Sequence, residues 1–214
     1  MTSNVGQRPA ATVRNPVPLL SRIYGLGSIF GKTIRDSRRA TLAVGLVLGL
    51  LLIGVSKAIV SQFATAESRV ELATIINAVP PILQGLAGKV VHVDTLGGYL
   101  QYKYGTFFPL IASLWSILAL SGTLAAESRR GSMEFVAATG VTRRRLALEK
   151  LTGHLLMLGI ATLLIFAGLL VAGSFATLPG DAIPASAAAG YAIWLALLAL
   201  AAGSLAFAIA PFLG

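Results

Sequence analysis

Four long stretches of the chain contain no Asp, Glu, Lys or Arg and no adjacent pair of prolines: residues 40–56, 104–126, 151–180 and 182–214. Each approaches or exceeds the ~18 to 20 apolar residues that an α-helix needs to cross about 30 Å of hydrocarbon at about 1.5 Å per residue. The pattern predicts an all-α polytopic membrane bundle with four transmembrane spans, at about 41–60, 105–124, 152–175 and 185–210. Ahead of the first span, Leu19, Leu20, Ile23, Leu26, Ile29, Phe30 and Ile34 recur three or four residues apart, with Arg22, Lys32 and Arg35 between them. That spacing predicts an amphipathic interfacial helix over 19–39; the alternative is that these residues simply begin the first span. Residues 1–18 mix Thr, Asn, Pro and Arg without periodicity and read as a disordered tail.

Between the first two spans, residues 61–103 are long and only mildly polar. The apolar piece 72–86 is interrupted by Pro80 and Pro81, which predicts broken helices packed at the membrane surface rather than a fifth crossing. Gly97 and Gly98 are expected to hinge the chain ahead of Tyr99, Tyr102 and Tyr104, an interfacial aromatic belt. Pro179, Gly180 and Pro184 mark a tight connection between the third and fourth spans. Ala185, Ala187, Ala188, Ala189, Gly190, Ala196, Ala199, Ala201, Ala202, Gly203 and Ser204 crowd the fourth span, a composition suited to close packing on neighbouring helices.

Composition reinforces this reading. Hydrophobic residues make up 56% of the chain and charged residues only 12%, against roughly 25% charged in soluble domains. The sign of the charges sets an orientation. The leader carries Arg8, Arg14, Arg22, Lys32, Arg35, Arg38 and Arg39 against Asp36 alone. The segment 127–150 carries Arg129, Arg130, Arg143, Arg144, Arg145 and Lys150 against Glu127, Glu134 and Glu149. The other two connections are nearly balanced, so the positive-inside rule predicts a multi-pass protein of the cell membrane with both termini in the cytoplasm. The net charge of +9 sits beside membrane spans, which points to anionic headgroups and not to nucleic acid. With no cysteine, disulfides and thiolate metal sites are excluded. No cleavable signal is apparent, and the first span is expected to direct insertion.

Catalytic chemistry finds little support. His92 and His154 are the two histidines and neither has an acid beside it within a span, which favours structural roles. There is no Gly-rich phosphate loop of the nucleotide-binding kind, and Gly85, Gly88, Gly97 and Gly98 lack a following Lys-Ser or Lys-Thr pair. The four charge-free runs also lack the midplane acid on which ion-coupled carriers usually depend, although Ser113, Ser116, Ser121, Thr123, Thr162 and Ser204 could line a polar path. If the chain moves a substrate, the energy is expected from another subunit.

The most informative segment is the basic loop at 126–150. Ser132 can cap a short helix reaching Ala138, Thr139 and Gly140 can end it, and Thr142 can cap a second helix running into the third span. Apolar Met133, Phe135 and Val136 flanked by charges would suit a partner's groove; an ordinary solvated loop is the alternative. The acid, the basic pair, Gly-Ser-Met-Glu-Phe, Ala-Thr-Gly-Val-Thr and Arg-Arg-Arg of this loop resemble the inner loop of type 2 ABC exporter permeases. The leading amphipathic segment likewise resembles that family's elbow helix, and the chain is similar to actinobacterial permeases of the polyketide-antibiotic, tetronasin-type or multidrug exporters.

The resemblance implies a permease subunit that is not itself catalytic and that extrudes amphiphilic antibiotics or drugs. Its partner would be an ABC ATP-binding subunit, which holds the ATP and Mg; no cofactor is expected in this chain. It also implies that Glu127, Arg130, Gly131, Ser132, Met133, Glu134, Phe135, Thr139 and Arg143 lie at or beside a coupling helix that docks on that subunit. Family half-domains have six spans against the four predicted here, which implies a second permease half or the rest of a longer permease. A channel or membrane scaffold that recruits a cytoplasmic partner is the alternative function.

Overall fold

The computed structural model describes residues 29–80, 91–129 and 143–210, and the regular structure among them is entirely helical. Six helices follow in order: α1 (Ile29–Gln62), α2 (Ala66–Asn77), α3 (Leu96–Tyr104), α4 (Phe107–Arg129), α5 (Arg143–Gly173) and α6 (Ala185–Ile209). α1, α6 and all but the first residue of α5 are long and apolar enough to cross a membrane. α3 and the apolar part of α4 pass the same test as one span bent by 48°. The chain is a membrane-embedded helical bundle of three to four crossings.

Large apolar side chains face outward along this bundle. Leu50, Leu110, Leu118, Leu163 and Leu205 are each more than 60% exposed, the arrangement a hydrocarbon solvent requires and water penalises. The excess of basic residues gathers at one end, where α1 and α5 begin and α4 finishes, here called the basic end. α2 and α3 lie towards the opposite, cap end.

α1 spans 34 residues, about 51 Å of helix, far longer than the hydrocarbon core. Its first turns carry Lys32, Arg35, Asp36, Arg38 and Arg39 and continue without a break into the apolar run. Residues 19–28 of the expected interfacial helix, and the tail at 1–18, lie outside the described residues. α5 is similarly extended, its first eight residues including Arg143, Arg144, Arg145 and Lys150.

The most extensive packing joins α1 to α5. Thr33 faces Gly153, Gly45 faces Ala161 and Leu164, and Gly49 faces Gly168, so the two helices run parallel and in register. A Cβ on Gly168 would lie 2.6 Å from Gly49 Cα, which makes glycine obligatory for this backbone separation. Gly45 and Gly49 form a G-x-x-x-G pair, the small-residue spacing that lets membrane helices approach closely. α6 packs chiefly on α4 and next on α5. Its buried face is Ala188, Ala192, Leu195, Ala199 and Gly203, so the small residues at helical spacing meet other helices while Ile193, Trp194, Leu197 and Leu205 remain exposed.

The bend between α3 and α4 falls at Gly105 and Thr106, where a Cβ on Gly105 would collide with the Gln101 carbonyl. Gly97 and Gly98, expected to form the hinge, instead lie in the first turn of α3. Gly98 is required there because His92, held at a left-handed φ of 50°, brings its carbonyl against the position of the missing Cβ. Pro109 occupies the third position of α4, within the first turn, where its missing N–H leaves no helical bond unmade. α2 opens with a capping box in which the Thr65 side chain accepts from the Ser68 N–H and the Ser68 side chain accepts from the Thr65 N–H.

Candidate functional site

Polar features interrupt this apolar bundle towards both of its ends and inside its basic half. The first frames the loop singled out by sequence. Glu127 falls in the last turn of α4 and Arg143 opens α5; Arg130, Gly131, Ser132, Met133, Glu134, Phe135 and Thr139 lie outside the described residues. The frame itself is tied to α1. Glu149 accepts through Oε2 from the Phe30 N–H at 3.3 Å and through Oε1 from Arg145 Nε at 2.8 Å. One carboxylate on α5 therefore holds an amide in the first turn of α1 and a basic side chain one turn before it.

One turn deeper, Lys150 and His154 lie four residues apart on the same face of α5, both buried. The Ser116 hydroxyl of α4 hydrogen-bonds His154 Nε2 at 2.8 Å. α4 and α5 otherwise touch little, so this bond is a principal clasp between the helices that bracket the loop. Gly203 of α6 makes room for it, because a Cβ there would run into Ser116 Oγ. The Trp115 ring lies 5.4 Å from the imidazole, and Trp115 Nε1 and His154 Nδ1 are buried without a hydrogen-bond partner. His154 of α5 is thus bridged to Ser116 of α4. Ser116→Ala is expected to lower stability by about 0.6 to 1.7 kcal/mol, the range measured for hydrogen bonds between membrane helices. Comparison of unfolding midpoints in detergent would detect it.

At the cap end, Arg69 of α2 and Asp181 of the α5–α6 connection form an ion pair in which each side chain is only 1% exposed. The guanidinium meets the carboxylate through both terminal nitrogens, at 3.4 Å and 3.3 Å, and Arg69 Nε donates to the Phe63 carbonyl at 2.6 Å. Asp181 Oδ1 also accepts from the Leu96 N–H, in the first turn of α3, at 2.8 Å. Four segments meet on these two side chains: the end of α1, α2, the start of α3 and the α5–α6 connection. In the sequence the two residues are simply charges of different connections, and a separation of 112 residues leaves no local signal of their pairing.

Beneath this tie lies a partly enclosed cavity of about 240 Å³, lined by residues of α1, α3, α5 and α6 and by Ile183 of the α5–α6 connection. Its walls include Leu52, Gly97, Leu100, Leu169 and Tyr191, with exposed Gln101 alongside. No charged side chain lines it. The Tyr191 hydroxyl is buried and has no hydrogen-bond partner. Among the described residues, no group of three or more metal-ligating side chains comes together. Comparison with protein-family models, curated proteins and solved structures finds no match to this chain.

Proposed function

We propose that the chain is the membrane-spanning permease subunit of an ATP-driven exporter of the type 2 ABC kind, set in the cell membrane with its basic end in the cytoplasm. The observation that carries this reading is the 127–145 sequence, with its coupling-helix resemblance, placed between the basic-end termini of two long membrane helices. Such a loop receives force at one point and passes it to two levers, α4 and α5. The levers do not move separately, because Ser116 and His154 join them and Glu149 joins α5 to α1.

The charge pattern of α5 supports a docking role. Its first turn holds Arg143, Arg144 and Arg145 and no acid, although cations at a helix N-terminus oppose the helix dipole, typically by about 0.3 to 1 kcal/mol each. Local helix stability does not explain that choice; attraction to anionic headgroups or to an acidic partner surface does. In this mechanism nucleotide-driven closure of partner ATPases pushes on the loop, tilts the spans and expels an amphiphilic substrate, while the permease performs no bond chemistry.

The test is affinity purification in mild detergent with an ATPase assay of the eluate. Wild type is expected to co-elute an ATP-binding subunit, and Glu134→Arg combined with Phe135→Asp is expected to lose it while remaining folded. Absence of any co-eluting ATPase from wild type across several detergents would sink the exporter reading and favour a channel or membrane scaffold.

A further inference from the structure

We infer that the groove between α5 and α6 is a binding site for an anionic phospholipid: one acyl chain lies in the groove, and the headgroup phosphate meets Arg144 and Arg145 at its basic-end mouth. The inference concerns the membrane-embedded bundle alone and does not depend on the permease reading.

The groove offers about 700 Å³ and is lined between Thr152 and Leu163 on α5 and between Ile193 and Leu200 on α6. From Thr152 to Leu163 α5 rises about 16 Å, close to half of the ~30 Å hydrocarbon core. The last charged residue of α5 is Lys150, so the groove begins where charge ends and has the depth of a single leaflet. Leu155, Leu156, Leu163, Ile193 and Leu197 along it are exposed, and it therefore opens sideways to lipid. The Thr152 and Thr162 hydroxyls donate to the Leu148 and Leu158 carbonyls of their own helix, at 2.7 Å and 2.8 Å. No charged side chain lines the groove. Its walls suit hydrocarbon, and a headgroup finds its contacts only at the mouth.

Charge at that mouth decides the occupant. Arg145, Thr152, Leu156 and Leu163, spaced seven, four and seven residues apart, share one face of α5, and Arg144, Leu148, Leu155 and Gly159 run beside them. Both arginines are exposed. The neighbouring acid, Glu149, already accepts from Arg145 Nε and from the Phe30 N–H, and α6 carries no charged residue. With Arg143 in the same turn, the positive charge exceeds the negative, and an anionic phosphate above an acyl chain complements it. A membrane helix from another chain fits less well, because the groove ends about half-way across the bilayer. Gly159 deepens the groove without being demanded by packing, since a Cβ added there would meet nothing within 4 Å.

The full chain is placed in phosphatidylcholine nanodiscs containing a small fraction of phosphatidylglycerol with a diazirine on one acyl chain, and photolabelled. Label is expected within residues 152–163 and 193–200, and unlabelled phosphatidylglycerol is expected to suppress it. A phosphatidylcholine bearing the same diazirine should label these residues at least about fivefold less at equal mole fraction. Arg144→Gln is expected to weaken phosphatidylglycerol binding about fivefold, the share of one basic side chain beside an anionic headgroup, and Arg144→Lys to keep most of it. Arg39→Gln, which removes an exposed cation of α1 at the same end, is expected to change nothing. Gly159→Leu fills the groove and is expected to abolish the competable label without lowering the unfolding midpoint, because the added Cβ meets no neighbour and leucine favours helix over glycine. Equal labelling by the two lipids, competable label that survives Gly159→Leu, equal losses in Arg39→Gln and Arg144→Gln, or crosslinks from the groove to a second copy of the chain in place of lipid would each overturn the inference.

Discussion

Replacing Asp181 with Ala is expected to destabilise the protein by about 3 to 5 kcal/mol, the loss usual when one member of a buried ion pair is removed. The Arg69 guanidinium would remain 1% exposed in place, keeping only its bond to the Phe63 carbonyl. The Leu96 N–H would lose its acceptor as well. The cap end should therefore loosen first, seen as faster amide exchange and proteolysis in α2 and at the start of α3, with the α1–α5 contact preserved. A second variant separates the net worth of the pair from the penalty of breaking it. Arg69→Met combined with Asp181→Leu removes both charges and restores apolar volume, and is expected to recover most of the stability, since buried pairs rarely outcompete well-packed apolar substitutes. If the double variant is as unstable as Asp181→Ala, the bonds to Phe63 and Leu96, and not the ion pair, hold the cap.

That tie marks the limit of what the pattern along the chain could reveal. Hydrocarbon excludes charge, so runs without Asp, Glu, Lys or Arg point to the crossings, and the expected spans at 41–60, 105–124, 152–175 and 185–210 fall on α1, α4, α5 and α6 but for one or two residues at their ends, the second counting as a crossing only together with α3. The helices themselves are less legible, because a helix does not stop where the hydrocarbon does. α1 begins by Ile29 and α5 at Arg143, extending the first and third spans by two to three turns of basic helix that the apolar window cannot register. Thr142, the expected cap of α5, lies outside the described residues.

Glycine positions were legible as places of permissiveness but not as geometry. Gly97, Gly98 and Gly105 look alike in sequence; only the approach of the Gln101 carbonyl makes Gly105 the bend, and only the His92 carbonyl fixes Gly98. The Ser116–His154 clasp was hidden for the same reason. Each residue read as isolated, and their meeting depends on how α4 and α5 cross. The loop residues from Arg130 to Thr139 rest on resemblance alone, since they lie outside the described residues.

The contact of α1 with α5 allows the sharpest prediction, because backbone meets backbone there. A Cβ on Gly168 would stand 2.6 Å from Gly49 Cα and 2.9 Å from its carbonyl oxygen, and neither atom can turn aside as a side-chain terminus would. Gly168→Ala is expected to cost about 1 to 3 kcal/mol as the helices separate. Gly168→Leu is expected to prevent native packing and to yield aggregated or rapidly degraded protein. The displacement would not remain local. Thr33 against Gly153 and Phe30 against Glu149 lie along the same parallel seam, so pushing α1 away strains the clasp that holds the loop-bearing end of α5. The matched control is Gly54→Ala on α1, where nothing lies within 4 Å of the added methyl; it is expected to be neutral or to gain up to about 1 kcal/mol from helix propensity. Unfolding midpoints of the three variants in one detergent decide the matter: equal behaviour of Gly168→Ala and Gly54→Ala would mean that α1 and α5 do not approach as closely as the Gly49–Gly168 contact requires.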